Sequence, residues 1–122
     1  MTIDQSGASP SAVQAVVVYD GQVLLVRSHG GWGLPTGTPD LAESPEATAA
    51  RVVYELTGYL VDGSQTLRDT APAAVVCQLL TESPSDGADV PPEGIRWTAI
   101  EEAAEAALPE AVRTYLLGHR PV

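Results

Sequence analysis

Acidic groups and one arginine crowd the stretch GTPDLAESPEATAARVVYELTGY, residues 37–59. Glu55 could hold a cation if Glu43, Asp40 or Glu93 converged on it from their loops. The plainer reading is a solvated carboxylate on a helix face. Glu43 can tether the Gly-rich segment before the helix, and Arg51 can pair with Glu43 or, one helical turn further on, with Glu55. Upstream, GGWGLPTG (30–37) could cradle an anion with backbone N–H groups near a helix start. However, Pro45 removes one donor, and Asp40, Glu43 and Glu46 crowd the same corner with negative charge. Trp32 and Trp97 are candidates for stacking a flat ligand, with core packing as the plainer role. His29 has the pKa range of a general base, although a lone loop histidine is usually only solvated.

These groups must be placed by a small set of elements. Two β-branched, Leu-rich runs at 12–19 and 22–28 flank Asp20-Gly21, a strong hairpin signal. Val16, Val17 and Val18 in succession suit a central strand covered on both faces. HGGWGLPTGTPDLAE (29–43) holds four glycines and two prolines, too many for a helix or a regular strand. A helix follows: Ser44 can cap, Pro45 fits the first helical position, Glu46 favours the positive end of the dipole, and Gly58 supplies a left-handed stop. YLV (59–61) resumes extended structure, 62–72 reads as turn-rich, and AAVVCQLL (73–80) is a strand. ESPSDGADVPPEG (82–94) is a loop, IRWTAI (95–100) a short strand, and 101–119 two helical pieces broken at Pro109. The order predicts an α/β domain, a three-layer α/β/α sandwich with a mixed sheet, over residues 12–122 after a polar tail at 1–11.

The chain has 122 residues, enough for one domain with a real core, and 44% of them are hydrophobic. Six basic residues, all arginine, against sixteen acids give 6 − 16 = −10, and the isoelectric point lies near 4.3. That balance argues against nucleic acid and anionic membranes as partners. The one cysteine, Cys77, has no internal disulfide partner and reads as a small buried hydrophobe. With a polar start and no long apolar run, the expected location is cytoplasmic.

Residues 37–59, with WGLPTG before them, resemble the box of the Nudix hydrolase family: Gly, five residues, Glu, seven residues, then Arg-Glu-apolar-x-Glu-Glu-x-Gly-apolar. Gly37, Glu43, Arg51, Val53, Glu55 and Gly58 match at the right spacing, and Tyr59 stands where an aliphatic residue is usual. The resemblance covers residues 12–118. It implies hydrolysis of a nucleoside diphosphate derivative with Mg²⁺ as electrophile, held by carboxylates at positions 52, 55 and 56, which share one helix face. It also places a further metal or base carboxylate near Glu93. The helix face here reads Val52, Glu55, Leu56, so two of the three carboxylates are replaced. Divalent binding is therefore expected to be absent or weak for Mg²⁺ and Mn²⁺, and hydrolysis lost or strongly impaired. The expected role is binding a nucleotide-like ligand or a protein partner, with a homodimer also open. The alternative is an active hydrolase using relocated carboxylates at Glu43, Glu55 and Glu93.

Overall fold

The computed structural model describes residues 12–28, 31–67, 73–81, 83–103, 108 and 110–118. The expected tail at 1–11, His29 and His119 lie outside them. Strands β1 (Val13–Tyr19) and β2 (Gln22–Ser28) meet at a tight turn in which Asp20 (φ 54°) and Gly21 (φ 75°) are both left-handed. Two successive left-handed residues match the right-handed twist of flanking strands, so the Asp-Gly expectation holds. Only Val18 with Val23 and Tyr19 with Gln22 pair across the hairpin. Beyond them β1 turns to other neighbours.

The Gly-rich segment departs from the loop expected for it. It contributes two short strands, β3 (Gly31–Gly33) on β2 and β4 (Thr36–Gly37) on β1. Next come helix α1 (Pro45–Thr57) and strand β5 (Val61–Leu67), where turns were expected. Asp62-Gly63-Ser64 reads as a turn by composition, yet it lies on an edge strand beside α1. A Cβ on Gly63 would stand 2.9 Å from Glu46 Cβ, so the missing side chain lets helix and strand close. The irregularity enters as a register shift between Gly63 and Gln65 instead of a reversal. Strand β6 (Ala73–Leu79), a 3₁₀ turn (Pro92–Gly94), β7 (Ile95–Ala99), α2 (Ile100–Ala103) and α3 (Glu110–Gly118) complete the chain.

The sheet runs β3-β2-β1-β6-β5, with β4 also on β1 and β7 also on β2. β1 and β6 are parallel and the other pairs antiparallel, giving the expected mixed sheet. Period-two alternation divides the core. Val13, Ala15, Val17, Leu24, Val75 and Cys77 face α1 through Ala49 and Val53, whereas Val16, Val23, Leu25, Ala74 and Val76 meet Ile100, Val112 and Leu116 from the other layer. This is the α/β/α sandwich. Among the described residues no helix is long and apolar enough to cross a membrane.

Both ends of α1 are fixed as the sequence predicts. The Ser44 hydroxyl accepts from Ala47 N–H at 3.1 Å, and Gly58 (φ 82°) donates to the Tyr54 carbonyl. The segment before β7 then covers the helix end. Ser85, Asp89 and Val90 N–H groups donate to the carbonyls of Gly58, Glu55 and Leu56 at 2.8, 2.8 and 3.1 Å. These bonds satisfy carbonyls that a helix terminus leaves without intrahelical partners. A Cβ on Gly58 would lie 2.4 Å from the Ser85 carbonyl oxygen. Gly58→Ala should therefore cost more than the roughly 1 kcal/mol of a relieved left-handed position, and speed hydrogen exchange at the Ser85, Asp89 and Val90 amides, read by denaturation and exchange NMR.

Candidate functional site

The one face of α1 that could carry metal chemistry is divided between core and surface. Val52 is 3% exposed. A Cβ placed on Gly37 would come within 2.4 Å of Val52 Cγ2, so the Gly-rich segment and the helix touch at this point without room for a side chain. Glu55, one turn on, is half exposed, and Leu56 is partly buried. The backbone carbonyl of Leu56 is engaged by Val90 N–H.

Arg51 organises the acids. Its Nε and Nη2 donate to the two Glu43 carboxylate oxygens at 2.9 Å each, the fork-to-fork geometry that suits a guanidinium. Nη2 also donates to the Thr38 carbonyl at 2.8 Å, and Nη1 to Glu55 Oε1 at 3.1 Å. Asp40 stands 3.5 Å from Nε. Both pairings proposed for Arg51 are thus made at once, and the Gly-rich segment is tied to α1 through Thr38, Asp40 and Glu43. Glu43 also accepts from Asp40 N–H at 3.0 Å and from the Thr48 hydroxyl at 2.8 Å. The Arg51 hydrogen bond, then the Asp40 N–H, hold its carboxyl well below the ordinary 4.5, at about 2.

Glu93 sits exposed on the 3₁₀ turn. Among the described residues no group of three or more His, Cys, Asp or Glu side chains is placed to hold a metal ion. The structure thus gathers Glu43 and Glu55 around Arg51 but forms no cluster of them with Glu93. Trp32 packs partly buried against the core on the α3 side, and the Arg96 guanidinium carbon lies 4.5 Å from its ring centre. Trp97 packs against the α1-side core and also lines a cavity at the end of α1. Cys77 is buried, and desolvation pushes its thiol up to about 12.

Thr48 and the Thr38 carbonyl were not singled out from sequence, nor was the cavity wall formed by Tyr59 and the 84–92 segment. Thr48 lies four residues after the capping Ser44, where a hydroxyl can reach back over the first turn. The three prolines of 82–94 were legible only as a loop.

Two measurements follow from this geometry. Glu43 is stabilised as its anion, so its contribution is present above the unfolded value near 4.5 and is lost as pH falls toward about 2. In Glu43→Gln the fall in stability between those pH values should flatten, as followed by urea unfolding. Gly37→Ala should destabilise by about 1–3 kcal/mol through overpacking on Val52. Adding Val52→Ala to it should cost less than the sum of the single changes, a coupling read in a double-mutant cycle.

Comparison with known proteins agrees with this architecture. The NUDIX domain family model matches residues 9–117. A "MutT-like protein" of Streptomyces ambofaciens is 39% identical over 69 residues, which is 51% of this chain and 45% of that protein, so the match takes in under half of the relative's length. A NUDIX hydrolase from Nitrosomonas europaea superposes with a TM-score of 0.67 at 22% identity, covering 91% of each chain. An ADP-ribose pyrophosphatase from Streptococcus suis superposes with a TM-score of 0.63 at 19% identity, covering 88% of this chain and 89% of that one. With the family model spanning nearly the whole chain and these folds superposing on it, the protein belongs to the NUDIX domain family.

Proposed function

We propose that this chain is a Nudix-fold binding module in which metal-dependent diphosphate hydrolysis is lost or strongly impaired. The observation that carries the reading is Val52, 3% exposed and packed on Gly37 where the family box has a carboxylate. Magnesium takes hard oxygen ligands and keeps several waters even at good sites. The Val52 and Leu56 side chains offer no oxygen to the ion or to its waters. Glu55, the one acid left on this face, is already ion-paired with Arg51. The donor set therefore does not fit a divalent cluster, and no hydrolytic step is assigned to it.

Family membership and a neighbour such as the ADP-ribose pyrophosphatase support a nucleotide derivative as the proposed ligand class, with a protein partner as the other role for such a module. Relocation of the chemistry to Glu43, Glu55 and Glu93 receives no support from the geometry. Glu43 and Glu55 both bind Arg51, and Glu93 forms no metal-holding group with them among the described residues.

Incubation of the pure protein with a panel of nucleoside diphosphate derivatives and Mg²⁺ or Mn²⁺ tests the reading. Turnover is expected to fall orders of magnitude below the typical enzyme value of about 10 per second, and turnover near that value would overturn it. A second measurement concerns the buried face. Val52→Glu should lower stability by about 3–5 kcal/mol, as an unpaired buried charge does, with a Tm that Mn²⁺ does not raise. A Tm restored by Mn²⁺ would mean that the face is poised for metal after all.

A further inference from the structure

The far end of α1 carries a feature that the acids around Arg51 leave unexplained. A cavity of about 360 Å³ opens between the helix terminus, β7 and the segment that covers them. On one side the rings of Tyr59 and Trp97 meet edge to face, with centroids 5.6 Å apart and an interplanar angle of 78°. Trp97 Nε1 donates to the Tyr59 hydroxyl oxygen at 3.2 Å, which fixes both rings and leaves the Tyr59 O–H as a donor. On the other side stand Pro84, Pro91 and Pro92. That side is pinned to α1 by the Ser85, Asp89 and Val90 N–H bonds and by the close approach of Ser85 to Gly58. Proline fixes φ and so lowers the freedom of the segment further. The cavity is a built feature, with both walls anchored.

Its charge is one-sided. Among the described residues that line it, Asp86 carries the one side chain charged at neutral pH, and none is an arginine. In a chain of net charge −10 such a wall disfavours phosphate. Aromatic faces attract cations, and a carboxylate beside them adds a counter-ion. The volume lies at the small end of the roughly 300–1,000 Å³ of small-molecule pockets, enough for a two-ring compound. We propose that this cavity binds a small planar cation, of the N-alkylated heteroaromatic class, between the Tyr59–Trp97 pair and the proline wall, with Asp86 as its counter-ion. This site is separate from the acids around Arg51, and its chemistry does not depend on whether the chain hydrolyses diphosphates.

The chain has two tryptophans, so ¹H–¹⁵N NMR reads the site and a control in one spectrum. N-methylquinolinium is the probe, with quinoline as its neutral and quinoline-2-carboxylate as its anionic counterpart. The cation is expected to shift the Trp97 indole signal saturably while Trp32 stays in place, with the anion producing no saturable shift. Asp86 is exposed, so Asp86→Asn should fold normally and weaken binding of the cation by up to about fivefold, the range of an exposed ion pair, without changing that of quinoline. No saturable shift into the millimolar range, equal movement of both indoles, or equal affinity for cation and neutral compound with Asp86→Asn silent would each overturn the proposal.

Discussion

The contact between Val52 and Gly37 sets the terms for the rest of the site. A branched side chain held at 3% exposure against bare backbone brings the Gly-rich segment down onto α1. The position before it then faces outward, and there Arg51 gathers Asp40, Glu43, Glu55 and the Thr38 carbonyl. Apolar contact and charge clamp act on the same two elements from adjacent residues. Interiors pack at crystal-like density, so a carboxylate cannot enter the Val52 position without displacing its neighbours. One guanidinium faces the three carboxylates of Asp40, Glu43 and Glu55, so it ties them into ion pairs without cancelling their charge.

On the proposed reading, family membership and chemistry separate at this point. The cap at Ser44, the stop at Gly58, the Glu43–Arg51 fork and the Gly37 approach are structural devices, and all are present. They hold the strand-loop-helix unit in the shape that superposes on Nudix hydrolases. Catalysis asks for something further, a set of oxygen donors on one face, and folds routinely persist while sites on them change. On the proposed reading, Val52 and Leu56 take the place of donors and leave the scaffold intact.

Much of this was legible from residue type and spacing. The Asp20-Gly21 hairpin, the capped helix and the buried β6 run each carry a strong local signal with no competing one. Strand β5 did not, because Asp62-Gly63-Ser64 has turn composition while the real demand on Gly63 is the approach of Glu46, a contact distant in sequence. The same holds for β3 and β4, where glycines occupy short strand edges that only their partners define. At the site, i,i+4 spacing revealed the Arg51–Glu55 pair, and the box spacing suggested Glu43. The Thr48 and Thr38 contacts, and the aromatic-proline cavity, arise from packing between elements and have no local signature.

The most direct test of the central claim is a crystal soaked in concentrated manganese and read by anomalous scattering at the Glu55 side chain. With Val52 buried and Glu55 engaged by Arg51, the map should hold no manganese peak on that helix face. A strong peak bonded to Glu55, with Arg51 turned away, would contradict the account.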